Sequence, residues 1–146
     1  MIRTVRPDDS PAVADLIVQL GYDITPDDAR RRLVQIAGRA DHALLVAEDA
    51  NRVVGFIHVS IAETLEHEPR GEIRTLTVDE SCRGREVGAR LLEAVEEWAR
   101  SRGMRKMRVR SNMKRERARR FYERHGYEVT KSQNVFDKNL GREGDR

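Results

Sequence analysis

The sequence predicts one α+β domain of six to seven strands and about four helices. Three observations carry that reading. A short strand-like run leads into two helical stripes, a block of three strand-like runs follows them, and helical and extended runs then alternate toward the C-terminal end. No repeat, linker or low-complexity segment interrupts the order. At 146 residues the chain has the size of one domain, expected over residues 1–140 with a frayed tail at 141–146, and long enough to bury a core without metals or disulfides.

Residues 2–6 alternate as a strand, and Pro7-Asp8-Asp9-Ser10-Pro11 breaks it, with Ser10 as an expected helix cap and Pro11 at the first helical position. Val13, Leu16, Ile17 and Leu20 then recur at helical spacing as far as Gly21. Thr25-Pro26-Asp27-Asp28 repeats the start signal for a second helix, whose apolar side is Leu33, Ile36 and Ala37. Residues 42–48 and 52–61 flank the turn-forming Asp49-Ala50-Asn51 and predict an antiparallel hairpin. A further strand is expected over 72–78, after the acidic stretch 63–69. Val87, Leu91, Val95 and Trp98 stripe a long helix that ends near Gly103, and residues 105–110 read as a strand with Met107 and Val109 inward. A helix over 114–124 and two short strands, 126–129 and 134–137, complete the reading.

Composition limits the function classes. No apolar run approaches the roughly 20 residues of a membrane span, and residues 1–6 lack a signal-peptide core, so a cytoplasmic location is expected. One cysteine, Cys82, is too few for an internal disulfide or a cysteine-based metal site, and His42, His58, His67 and His125 show no ligand spacing; no metal is expected. The net charge of +3 divides into −5 for residues 1–72 (8 Lys/Arg, 13 Asp/Glu) and +8 for 73–146 (20 and 12). Such a division suits two partners of opposite sign, as well as a merely solvated surface.

The stretch SCRGREVGARLL, residues 81–92, joins a strand to a helix through Gly84 and Gly88, which brings free N–H groups and a helix dipole to one point. That is an anion site, although two glycines at such a joint also suit an ordinary helix start. Taken with ARRFYERHGY, residues 118–127, the stretch from Val78 to Leu92 resembles the GNAT superfamily of N-acetyltransferases. The family's loop pattern Arg/Gln-x-x-Gly-x-Gly/Ala falls on Arg83, Glu86 and Gly88, with Glu86 in place of its first glycine. The Ala-x-x-Phe-Tyr-Glu-x-x-Gly-Phe/Tyr pattern is matched in full from Ala118 to Tyr127, and the element order extends the resemblance over nearly the whole chain. The implied fold is GNAT-type, a mixed and mostly antiparallel central sheet.

The resemblance implies acetyl-CoA as cosubstrate. Its pantetheine arm would pair with Leu76, Thr77 and Val78, its pyrophosphate would lie on Arg83, Gly84, Arg85, Glu86, Val87, Gly88 and Ala89, and Arg124 would sit near a further phosphate. Acyl transfer to an amine needs a base, an oxyanion donor and an acid for the departing thiolate. Tyr122 is the expected acid, against a core aromatic as its plainer reading. Glu72 is the leading base, against a strand-edge glutamate, with Glu63, Glu66, His58 and His67 in reserve. Asn112, ten residues before Tyr122, is a candidate cofactor contact or a helix cap; the family's commoner seven-residue spacing falls on Arg115. Glu86 is expected in the first helical turn with helical φ, turned outward or paired with Arg83, Arg85 or Arg90. An acyl-cysteine at Cys82 is disfavoured.

An ammonium acceptor would approach the acidic first half, along residues 22–28 and 63–68, so a cationic amine is expected: an aminoglycoside, a polyamine, or a peptide lysine or N-terminus. A GNAT-fold acyl-CoA sensor and, with less support, a nucleic-acid module over the arginine-rich 105–124 are the rival readings; the latter lacks interleaved exposed aromatics. A membrane partner is not expected, and the sequence leaves oligomeric state open, a homodimer included.

Overall fold

The computed structural model describes residues 1–111 and 115–141, which divide into two compact units, Met1–Arg110 and the segment from Ser111 onward. The first unit holds five strands, β1 (Ile2–Thr4), β2 (His42–Asp49), β3 (Arg52–Ala62), β4 (Arg70–Val78) and β5 (Met107–Val109), and three helices, α1 (Ser10–Gln19), α2 (Pro26–Ala37) and α3 (Val87–Ser101). The strands lie in sheet order β1-β2-β3-β4-β5, antiparallel throughout except for the parallel pair β4–β5. A parallel neighbour needs a crossover, and α3 supplies it.

The turn between β2 and β3 is two residues long, Ala50 and Asn51, both at positive φ, which is the backbone a tight hairpin demands. Near the same turn, Arg3 ties β1 down with a two-pronged bond to Asp9 (2.8 and 2.9 Å) and a third to Glu48 at 3.3 Å. The start of α1 differs from expectation. Ser10 does not cap: it begins the helix and its hydroxyl donates to the Pro7 carbonyl at 2.6 Å, while Asp9 accepts from the Arg6 N–H at 2.7 Å. At α2 the expected cap stands, with Thr25 accepting from the Asp28 N–H.

One sheet face carries Leu44, Val46 and Phe56, which pack with Val5, Val13, Leu16 and Leu33 under α1 and α2. The opposite face receives α3 through Leu91, Leu92, Val95 and Ala99. Two strand glycines set how close α3 comes. A Cβ at Gly55 would stand 2.9 Å from the Leu91 side chain and 3.0 Å from that of Val87, and one at Gly71 would stand 2.5 Å from Met107 Sδ.

In the second unit α4 (Glu116–Arg124) stops on Gly126, at φ +89°, and the Tyr127 N–H turns back to the Tyr122 carbonyl at 3.0 Å. The strands expected at 126–129 and 134–137 are absent among the described residues, so the sheet has five strands rather than six to seven. Alternation over four residues gives each too little apolar surface to hold an edge by itself, and Val129, Val135 and Phe136 are exposed.

Gly55→Val overfills the seam between β3 and α3 and is expected to lower stability by about 1–3 kcal/mol, read from the midpoint of a urea titration with an unchanged slope.

Candidate active site

Strand β4 makes the site's frame. β3 pairs with it from Arg70 to Val78, whereas β5 pairs only with Gly71, Glu72 and Ile73. The register with β3 slips between His58 and Val59, which leaves Arg74 as the extra residue of a bulge where the two neighbours of β4 part. Beyond it the Asp79 N–H donates to the Val54 carbonyl at 2.8 Å, so by two-residue alternation Thr75 and Thr77 face β3. The backbones of Leu76 and Val78 therefore face the edge that β5 has left. Thr77 serves the fold instead, its buried hydroxyl donating to the Leu16 carbonyl of α1 at 3.0 Å.

The loop after β4 is held by groups whose importance the sequence did not signal. Asp79 accepts from the Ser81 N–H and hydroxyl, from Gln19 Nε2 at 2.9 Å and from Arg52 at 3.3 Å, and these bonds, Ser81's first, hold its carboxyl down to about 2. Gln19 also accepts from the Glu80 N–H at 3.1 Å, so one side chain of α1 grips two loop residues. The only available hint was the Asp-x-Ser spacing of an Asx turn.

Gly84 (φ +86°) and Glu86 (φ +64°, ψ 12°) both take the left-handed conformation, and α3 begins directly after. No described backbone or side-chain group accepts from the N–H groups of Gly84, Glu86, Val87, Gly88 and Ala89, which gather at the positive end of α3. Glu86 departs from expectation: it is the residue before the helix, at positive φ, and makes no ion pair with Arg83, Arg85 or Arg90 among the described residues. That backbone suits glycine, and a side chain there costs about 1–2 kcal/mol. Cys82 is buried under this loop, which disfavours it further as a nucleophile.

Glu72 is no strand-edge surface residue. It is buried, its Oε2 accepts from Arg74 at 2.7 Å, its Oε1 accepts from Arg110 at 3.0 Å, and Arg70 stands 3.9 Å away. Ser60, opposite it on β3, accepts from Arg74 Nε at 2.8 Å. On the same sheet face His42 Nδ1 and His58 Nε2 are 2.9 Å apart, a bond that needs one ring to donate and the other to accept. Burial first, then His42 and Arg74, lowers the His58 pKa from 6.5 to about 4. Glu63, Glu66 and His67 all sit in the exposed connection between β3 and β4, and Tyr22, Asp23 and Asp27 are exposed before and at the start of α2. Asp28 is engaged in capping α2 and pairing with Arg31.

In the second unit, Tyr122 stacks edge-on with Phe121 and Tyr127 at 5.2 and 5.6 Å, and burial pushes its phenol up to about 12. Arg124 closes α4. Asn112 lies outside the described residues.

Removing the strained side chain in Glu86→Gly is expected to raise stability by up to about 1 kcal/mol, part of the relief being offset by glycine's looser unfolded chain; no rise in the denaturation midpoint would contradict the left-handed assignment. His58 gives a pH signature. The unfolded ring takes a proton near pH 6.5 and the folded one only near 4, so stability is full above 6.5, falls as pH drops through that window and levels below it. His58→Gln should flatten that part of a Tm-against-pH curve.

The model of the acetyltransferase (GNAT) family matches residues 11–127. No curated protein sequence matches the chain. Among solved structures, the aminoglycoside 6'-N-acetyltransferase AAC(6')-IG of Acinetobacter haemolyticus is 15% identical, with a TM-score of 0.83 over 97% of this chain and 99% of its own. AAC(6')-Iy, in complex with the bisubstrate analogue CoA-S-monomethyl-acetylneamine, is 21% identical, with a TM-score of 0.84 over 96% and 98%. The glucosamine-6-phosphate N-acetyltransferase of Arabidopsis thaliana is also 21% identical, with a TM-score of 0.77 over 97% and 98%. At such identities the likeness is one of fold, and the family model carries the assignment: a GNAT fold, with the two motifs of residues 78–92 and 118–127 within or at the end of the matched span, makes the chain a member of the GNAT family of acetyltransferases.

Proposed function

We propose that the protein moves an acetyl group from acetyl-CoA directly to a primary amine that arrives as an ammonium. The observation that carries the proposal is the edge of β4 from Arg74 onward, free among the described residues, which leads straight to the N–H groups at the start of α3 that no described group engages. An amide-bearing arm is suited to add to such an edge as a strand would, at Leu76 and Val78, while a pyrophosphate is suited to the N–H groups between Arg83 and Ala89. Thr77 supports the site through its bond to α1, and Arg124 is the proposed contact for a further phosphate. The family match runs across both units, which supports a single working domain over residues 1–140.

In the proposed reaction the amine nitrogen attacks the thioester carbonyl, with the developing oxyanion taken by a β4 backbone N–H near Leu76 to Val78. The new C–N bond forms as the C–S bond breaks, and the thiolate takes the Tyr122 proton. The phenol, raised by burial to about 12, stays protonated across the neutral range, so its proton is in place when the thiolate departs, although burial makes it a weaker acid than a free phenol. Glu72 receives the ammonium proton, directly or through water, each of its oxygens keeping an acceptor site beside the guanidinium bond it already takes. The exposed acids at 22–28 and 63–68 favour an acceptor that carries positive charge, which keeps aminoglycosides, polyamines and peptide amines in view.

Thiol release from acetyl-CoA, measured across an amine panel, tests the reading; silence toward every amine, with acetyl-CoA still bound, would leave a sensor, the reading that the strained Glu86 at the cradle favours. Tyr122→Phe should lower kcat by about a hundredfold with CoA affinity within twofold. Unchanged turnover would remove Tyr122 from the mechanism.

A further inference from the structure

The face of the sheet that carries the α1–α2 core changes character along its strands. Where β4 and β5 pair, the residues on this face are charged, one glutamate among arginines. Gly71 and Met107 face α3, so alternation turns Arg70, Glu72, Arg108 and Arg110 to the other side, and the bulge residue Arg74 joins them by its bonds to Glu72 and Ser60. Three guanidinium groups, those of Arg70, Arg74 and Arg110, thus stand 3.9, 2.7 and 3.0 Å from one carboxylate, and Arg108 shares their sheet face. Arg70 is deeply buried, its side chain 5% exposed, and its Nε and Nη1 have no hydrogen-bond partner among the described residues. Arg74 and Arg110 are open at 45% and 53%, each anchored by a bond to Glu72. Arg108, opposite Glu72 in the parallel register, makes no ion pair among the described residues.

A network built only to hold strands together would balance its charges, because a buried guanidinium with unmet donors is costly. This one carries a surplus of positive charge and buried donors in need of an acceptor. The phosphates of CoA are not that acceptor. Strand β4 rises about 3.3 Å per residue, so the cluster at Glu72 lies roughly 20 Å along it from Val78, after which the phosphate cradle begins. The cluster is at the opposite end of the strand, where the acceptor would enter.

Resting on the transferase reading above, we infer that the acceptor amine also carries an anionic group, a carboxylate or a phosphate, which Arg70, Arg74, Arg108 and Arg110 receive. The acidic segments draw the ammonium and the arginine floor holds the anion, so the acceptor is an amphoteric amine. Of the classes named above, peptide amines meet this description, whereas polyamines and aminoglycosides do not.

The test has two readouts. Inorganic phosphate and malonate, titrated at constant ionic strength, should raise the Tm of the wild type saturably, and Arg74→Gln and Arg110→Gln, which change half-exposed groups and spare the buried Arg70, should weaken that response at least fivefold. In transfer assays, β-alanine should exceed its amide, or O-phosphoethanolamine exceed ethanolamine, by at least tenfold in kcat/KM, the value of one charge-assisted hydrogen bond, and the better pair tells carboxylate from phosphate. Arg110→Gln should erase most of that preference with the KM for acetyl-CoA unchanged. An equal Tm response in wild type and variants overturns the inference, as does a wild type that acetylates spermidine or the uncharged partners as well as the anionic ones, and the latter result leaves the transferase reading intact. An arginine-dependent Tm response without transfer to any amine leaves the anion site standing and removes the transferase.

Discussion

The site depends on how β4 shares its hydrogen bonds. β3 satisfies one edge along the full length of β4, and β5 satisfies the other for only three residues. An open edge is ordinarily a liability, since each exposed N–H and C=O seeks a partner. Here the opening is bounded on both sides by structure that the same strand organises. The bulge at Arg74 marks where it begins, and the Asp79–Gln19–Arg52 bonds mark where it ends. Gly71 lets Met107 and α3 close tightly over the paired part, and Thr77 ties the unpaired part to α1. The strand is rigid on one edge, which is what allows the other to remain available without the sheet unravelling.

The same strand separates charge along its length. Its paired end carries the arginine cluster, and its free end runs into backbone donors with no formal charge of their own. That arrangement fits the two demands of acyl transfer. A long anionic cosubstrate is better held by fixed N–H dipoles, which need no reorganisation, whereas a small acceptor is better held by side chains that discriminate by charge. Glu72 belongs to both descriptions. As the carboxylate among the arginines it keeps Arg74 and Arg110 at the sheet face.

Most of the first unit was legible in the sequence, because its elements are locally consistent. The Thr25–Asp28 cap, the hairpin around Asp49-Ala50-Asn51, whose turn proves to be only Ala50 and Asn51, and the stripe of α3 each state their structure within a few residues. The departures arise where the deciding partner is distant or the backbone is unusual. Ser10 reads as a cap until Asp9 occupies the Arg6 N–H, and short alternating runs such as 126–129 read as strands although a strand exists only through its neighbour. Arg70, Arg74 and Arg110 belong to no motif the sequence singles out. Only the pleat and the register bring them together on Glu72, and a register is not written in any single segment.

Glu86 is the clearest case of a local rule broken at a site. A carboxylate beside a helix N-terminus invites an account in terms of charge, and the dipole would favour it there. The backbone says something different: at φ +64° the cost lies in the Cβ, not in the carboxylate, and the exposed side chain has no ion-pair partner that would offset it among the described residues. Strain of that kind persists only where the surroundings over-determine it. Here the Asp79 bonds fix the loop's entry and the packing of Leu91 and Leu92 fixes the helix, so the one residue between Arg85 and Val87 must adopt whatever angle joins them. That angle also precedes the first turn of α3, so the unengaged N–H groups of Gly84, Glu86, Val87, Gly88 and Ala89 stay together at the helix start even where the sequence pattern is lost.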